Sequence, residues 1–298
     1  MTENRYVKLS KRGLITVGGP DRKEFLQGLI SNDIEQVSPE RAIWAALLTA
    51  QGKYLHDFFI VEIDDVFYLD CEAERLMDLG QRLSRFKLRA EVDLGIADGF
   101  GVWACYGPEA LARADLESDP GIARSLAEGT VYCDPRISDI GARAVLSVKS
   151  ARAHWQKPGI EPGSGADYDR LRISLGLPDG SRDMVVEKAI LLENNFDPLH
   201  GVDWNKGCYV GQELTARTKY RGLIKKRLVP VEISGDTPEI GTQVTADGRD
   251  AGEVRSLAGG LALALIRRDK LDLSVEQGVP LVAGNATLTP RLPEWQSI

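Results

Sequence analysis

Between Lys206 and Glu213 the chain reads Lys-Gly-Cys-Tyr-Val-Gly-Gln-Glu, which places an ammonium, a thiol and a carboxylate within eight residues. Two glycines bracket Cys208-Tyr209-Val210, whose composition predicts a strand. Gly211 is placed to cap a helix that opens on Gln212 and Glu213 and runs through Arg217. Glu213 in the first turn suits the helix dipole. On this reading Cys208 lies near the positive end of a helix and close in sequence to Lys206, and both favour the thiolate. The alternative is that Cys208 is a small buried hydrophobe, as most free cysteines are.

Two further segments carry candidate chemistry. Arg217, Lys219, Arg221, Lys225, Lys226 and Arg227 fall in eleven residues without an acid, in a chain whose net charge is -7. Such a reversal of sign suits a polyanionic ligand tail or an acidic partner, or is simply a solvated basic surface. In Gly52-Lys53-Tyr54-Leu55-His56-Asp57, strand alternation puts His56 and Phe58 on one face, and Leu55, Asp57 and Phe59 on the other. Asp57 then stands among apolar neighbours, either as a proton-handling carboxyl or as a structural aspartate bonded at a turn.

Several elements must position these groups. Asp21 and Glu24 read as a capping box for a helix that carries Phe25, Leu26, Leu29 and Ile30. Ala42 to Thr49, Leu55 to Glu62 and Val66 to Asp70 read as strands, and Leu76, Leu79, Leu83 and Phe86 as a helical stripe. Lys87 to Leu94 and Phe100 to Tyr106 return to strand character, Pro108 to Leu126 reads as a broken helix, and Pro158 to Gly165 as a surface loop. Beyond Lys226, short segments separated by Gly, Pro and Asp have the rhythm of a small all-β unit. The main boundary is expected near 226, between a region 1–225 and a barrel 226–298.

Composition narrows the classes. The length suits about two domains with a real core, and the acidic balance argues against a general nucleic-acid binder. No apolar run is long enough to span a membrane, and the first residues lack a signal or transit pattern, so a cytoplasmic protein is expected. Cys71, Cys105, Cys133 and Cys208 are far apart, as are His56, His154 and His200, so no local metal site is readable.

The segment Lys206 to Glu213 matches the Lys-Gly-Cys-(aromatic)-x-Gly-Gln-Glu signature of YgfZ-like proteins, which belong to the aminomethyltransferase superfamily. The match continues through Ala216 to Gly222. Phe25-Leu26-Gln27-Gly28-Leu29-Ile30-Ser31-Asn32-Asp33, Gly52 to Asp57 and Arg172 to Pro178 follow in the family's order, so the likeness spans most of the chain. The resemblance implies an α+β fold: a folate-binding region of two α+β units around a pocket, followed by a small C-terminal β-barrel. It implies tetrahydrofolate, with or without a polyglutamate tail, as cofactor. It also implies a role in assembling or maintaining iron–sulfur enzymes, with assembly proteins or client enzymes as partners. Cys208, Lys206 and Asp57 become the working groups, and Asp57, Arg172, Tyr209, Gly211, Gln212, Glu213, Arg217 and Arg221 the folate contacts. Two positions depart from the pattern. Ser174 stands where aminomethyltransferases carry a pterin-contacting Glu, and Asp57 matches their catalytic Asp where some YgfZ-like proteins have a non-acid. A folate-dependent aminomethyl or methyl transferase is therefore the rival reading, and a scaffold that has lost folate the third.

Overall fold

A computed structural model describes residues 3–296 and divides them into two compact units. The first comprises the chain up to Leu48, Leu55–Tyr168 and Leu199–Val210. The second comprises Thr49–Tyr54, Asp169–Pro198 and the chain from Gly211 onward.

Alternating residues build the first unit from two sheets. One has the strand order Ile43–Leu48, Tyr54–Ile63, Val66–Glu72, Arg12–Gly18, Asp93–Ile96. Its helix-facing side chains include Phe58, Ile60, Phe67, Leu69 and Ile15, and the helix Leu76–Lys87 covers part of that face with Leu79 and Leu83. The other sheet runs Ile160–Pro162, Asn4–Lys8, Phe100–Tyr106, Ala142–Ser147, Gly129–Cys133, Ala123–Leu126. One of its faces packs Trp103, Cys105, Ala144 and Leu146 around Trp155. The opposite face carries Arg143, Ala104 and Tyr132, aligned across neighbouring strands, and looks towards Phe59 and Asp70 of the first sheet.

The second unit contains a closed six-stranded barrel in the order Lys226–Ser234, Leu261–Arg267, Arg249–Ala258, Gln243–Ala246, Leu281–Ala283, Ala286–Pro290. Small and branched residues fill it, among them Val229, Val231, Val254, Ala264, Ile266 and Leu288. Ile173, from the helix Gly165–Ser174, packs with Leu228 and Leu263 on the outer side of barrel strands.

Several local expectations are corrected. Asp21 makes no side-chain cap on the helix Arg22–Gln27, because its carboxylate accepts the Glu91 amide at 2.7 Å. Lys87 to Leu94 is not a strand: the preceding helix runs to Lys87 and pairing begins only at Asp93. From Pro108 to Leu126 the helix is limited to Ala110–Arg113, and Ala123–Leu126 is an edge strand paired with Gly129–Cys133. Within the expected loop 158–165, Ile160–Pro162 pairs parallel to Asn4–Tyr6. The barrel also holds a strand, Ala286–Pro290, and a helix, Arg268–Gln277, that short-range pattern did not reveal.

Candidate functional site

In the first unit, two motif segments lying some 170 positions apart are laced together. The Ser31 hydroxyl donates to the Gly201 carbonyl at 2.6 Å, and Asn32 Nδ2 donates to the carbonyls of Trp44 (2.8 Å) and His200 (2.7 Å). The Asp203 amide donates to Ser31 and the Val210 amide to Gly28. Lys206 Nζ closes the clasp, donating to the carbonyls of Ile30 (2.8 Å) and Asn32 (2.6 Å) while lying 5.3 Å from the centre of the buried Tyr209 ring. Burial lowers the pKa of this ammonium to about 8, against the pull of Asp33 and Asp203. In this structure Lys206 therefore serves the shape of the loop, its hydrogen bonds going to main-chain oxygens.

Cys208 stands on that loop, between the clasp residue Lys206 and the buried Tyr209, with its own side chain exposed. The expected strand over Cys208-Tyr209-Val210 is absent: the backbone is irregular there because it bonds to the Gly28 turn and not to a strand edge. Cys71, Cys105 and Cys133 are buried, and burial pushes each of those thiols up to about 12. Of the four cysteines, Cys208 alone presents sulfur to solvent.

Asp57 lies elsewhere in the same unit, 3% exposed, and accepts the Trp44 indole N–H at 3.0 Å. Its neighbour His56 points the other way, to Asp78 at 2.9 Å, so the alternation read from sequence holds. Burial, reinforced by the nearby Arg75, lowers the His56 pKa to about 4. The face of Asp57 opens on a layer that sequence reasoning missed. Asp70 receives Arg12 Nε at 2.6 Å and also binds Arg143 Nη2. The Arg143 guanidinium lies 4.0 Å from the Phe59 ring centre and donates to the Tyr168 hydroxyl at 3.2 Å. Arg136, held by Asp134 through two bonds of 2.8–2.9 Å, lies over both Phe59 and Trp44. A signal was present: Leu69-Asp70-Cys71 and Ala142-Arg143-Ala144 each set one charge inside an apolar strand, which is tolerable only if that charge is paired.

The second unit holds the remaining candidates. Gly211, with φ of 83°, caps the helix Gln212–Tyr220, which carries Glu213 in its first turn. Gly52, with φ of 78°, belongs to the Thr49–Tyr54 turn packed on that helix start. A Cβ there would stand 2.6 Å from both the Gly211 oxygen and Leu214 Cβ, so no other residue fits. Glu213, Arg217 and Arg221 are exposed and Gln212 is half-buried, while Lys219 pairs with Asp197 at 3.2 Å. Arg172 is given an internal role. Fully buried, it binds Asp183 at 2.7 Å, Asp169 at 2.8 Å and the Leu177 carbonyl at 2.7 Å, and so ties the end of its helix to the segment that follows. The structure thus gathers Lys206, Cys208 and Tyr209 on one loop, sets Asp57 apart in a buried layer, and places Arg172 and residues 211–221 in the other unit.

The barrel residues 225–298 match the family model described as CAF17, C-terminal beta-barrel domain. Over the whole chain, the solved glycine cleavage system aminomethyltransferase T from Bartonella henselae superposes with a TM-score of 0.78, covering 99% of this chain and 87% of that one at 18% identity. The fold is therefore that of the aminomethyltransferases. The human protein named iron-sulfur cluster assembly factor IBA57, mitochondrial, is 32% identical over 97% of this chain and 84% of its own length. This chain belongs to the IBA57 family. Its mouse relative of the same name is 33% identical over 89% of the chain and 78% of the relative. A Neurospora crassa homologue is 34% identical over 78% of the chain, which spans only 55% of that longer protein.

Membership of the IBA57 family corrects one expectation. These relatives are all named mitochondrial, so the cytoplasmic assignment drawn from the N-terminal residues does not stand. No helix among the described residues is long and apolar enough to cross a membrane. Nor do three His, Cys, Asp or Glu side chains gather there into a group able to hold a metal ion. Ser174, which departs from the aminomethyltransferase pattern, is exposed and turns its hydroxyl back to the Leu171 carbonyl at 2.7 Å.

Proposed function

We propose that this chain is an accessory factor in the assembly or maintenance of iron–sulfur cluster proteins, with Cys208 as its working thiol and tetrahydrofolate as its ligand. The observation that carries the reading is the Cys208 loop. A solvent-facing cysteine stands on a segment fixed by Lys206 and Tyr209, while the three other thiols are buried. A cluster, or a protein that carries one, is the cargo of such a thiol, and an assembly protein or a client enzyme is the partner. Folate belongs to the region 1–225 in this reading, and the barrel 226–298 forms the second domain. Exposed Arg217 and Arg221 suit the carboxylates of a polyglutamate tail.

Titration calorimetry of the purified chain with tetrahydrofolate and its polyglutamate form tests the ligand. Binding is expected with both. The tail should add affinity that fades as salt rises, since each exposed cation contributes on the order of 1 kcal/mol or less. No heat with any reduced folate at low salt would remove folate from the proposal and leave the thiol reading to stand alone.

Asp57 favours a second reading, one-carbon transfer to tetrahydrofolate. A buried carboxylate, 3% exposed, in a segment that resembles the one carrying the aminomethyltransferase acid supports this reading. Under that reading the wild type turns over aminomethyl donors, and Asp57→Asn lowers turnover by ~10²–10⁴ with folate affinity nearly unchanged. Absence of turnover in the wild type would discard it.

A further inference from the structure

In the first unit, Ile43–Leu48 is the end strand of its sheet, so alternate residues turn their backbone groups outward from the edge. Two adjacent buried side chains take up some of those groups, and each also reaches beyond them. Ser31 Oγ accepts the Ala46 amide at 2.9 Å and donates to the Gly201 carbonyl at 2.6 Å. Asn32 Nδ2 divides its two hydrogens between the Trp44 carbonyl at 2.8 Å and the His200 carbonyl at 2.7 Å. Its Oδ1 accepts the Asp33 amide at 2.9 Å. Ser31 is fully buried and Asn32 is 6% exposed. Both side chains thus span from the sheet edge to the segment that enters the Cys208 loop.

One end of this bridge is firm. Every residue from Ile43 to Leu48 is buried, and the Trp44 indole donates to Asp57. The other end has no such support of its own. From Gly201 to Val210 the chain forms no helix or strand. His200, just before it, has φ of 57°, a left-handed conformation that a residue other than glycine keeps only where its surroundings impose it. The chemistry of the bridge is specific as well. The Ser31 site needs a group that both donates and accepts, and the Asn32 site one that donates twice and accepts once, which a hydroxyl and a carboxamide supply. We infer that Ser31 and Asn32 are positioning residues for Cys208. They tie the left-handed turn at His200 to the sheet edge and so set the place of the loop that follows. The later ties fasten onto the same stretch: the Asp203 amide to Ser31, Lys206 to Ile30 and Asn32, and the Val210 amide to Gly28. The inference rests on the reading of Cys208 as the working thiol.

A nitroxide attached to Cys208 of the full chain tests this, since the three other thiols are buried. Ser31→Ala and Asn32→Ser remove bridging bonds and add no charge. Leu146→Ala, in the apolar cluster around Trp155, is the control that lowers stability and leaves the bridge intact. The wild-type label should give a slow, broad spectrum. Both bridge variants should lose that slow component, and Leu146→Ala should keep it. The Asp203 and Val210 amides should be protected from hydrogen exchange in the wild type, a measurement that needs no variant to fold. In cells lacking the wild type, both bridge variants should restore less iron–sulfur enzyme activity although the thiol is present. A mobile label in the wild type, unprotected amides, or equal mobilisation by Leu146→Ala would overturn the inference. So would a slow label retained in both bridge variants. Full restoration of activity by both of them, where Cys208→Ser restores none, would overturn the inference alone. Full restoration by Cys208→Ser would instead remove the thiol reading beneath it, and the inference with it.

Discussion

Cys208→Ser is expected to yield a folded, soluble protein that fails to restore iron–sulfur enzyme activity to cells lacking the wild type. Folding should be untouched because the thiol is exposed and the loop is held by other atoms: the Lys206 ammonium, the Val210 amide and the Ser31–Gly201 and Asn32–His200 bonds. A surface change of this kind shifts stability by no more than about 0.5 kcal/mol. Serine, however, is a poor nucleophile and a poor ligand for iron beside cysteine. In the native wild type, brief alkylation should label Cys208 and spare Cys71, Cys105 and Cys133, whose burial keeps them protonated. Full restoration of activity by the serine variant would end the assignment of Cys208 as the working thiol.

The second large effect is on stability. Asp70→Ala would remove the carboxylate that Arg12 and Arg143 share, in a layer where all three side chains are at most 6% exposed. Breaking a buried pair by removing one partner costs about 3–5 kcal/mol, a large share of the ~5–15 kcal/mol that holds a domain folded. Glu232→Ala is the matched control. Its Arg291 pair is exposed, and exposed pairs contribute about 0–1 kcal/mol. Urea midpoints for the two variants should therefore separate widely. An equal, small shift in both would mean that the buried layer is dispensable to the fold.

What could be seen in the sequence was local. Phe100–Tyr106 emerges at the predicted residues because an apolar run bounded by Asp98-Gly99 and Gly107-Pro108 specifies it. The opposite faces of His56 and Asp57 follow from the period of a strand alone. What was not legible depended on partners far away. Asp21 has the right type and spacing to cap its helix, but Glu91 competes for its carboxylate. Arg172 lies within a motif, yet Asp183 and Asp169 fix it as an internal tie. Asp70 and Arg143 are 73 positions apart, and only the meeting of two sheets makes them a pair. The likeness to a family located the Cys208 loop; that Lys206 grips Ile30 and Asn32 depends on the meeting of segments 174–176 positions apart.

The way the chain is shared between its units has a consequence for its synthesis. The first unit takes its closing segment from Leu199–Val210, and the turn Thr49–Tyr54, translated early, belongs to a unit otherwise made of residues beyond Asp169. A nascent chain paused before Leu199 therefore exposes Gly28, Ile30 and Asn32 without the amides and the ammonium that they later receive. Neither unit can mature behind the advancing ribosome in the usual order of N-terminal domain first. Stalled chains ending at residue 198 should stay open to protease, and those extended well past Val210 should lose that sensitivity. The Cys208 segment, the last part of the first unit to be made, would then act as its latch.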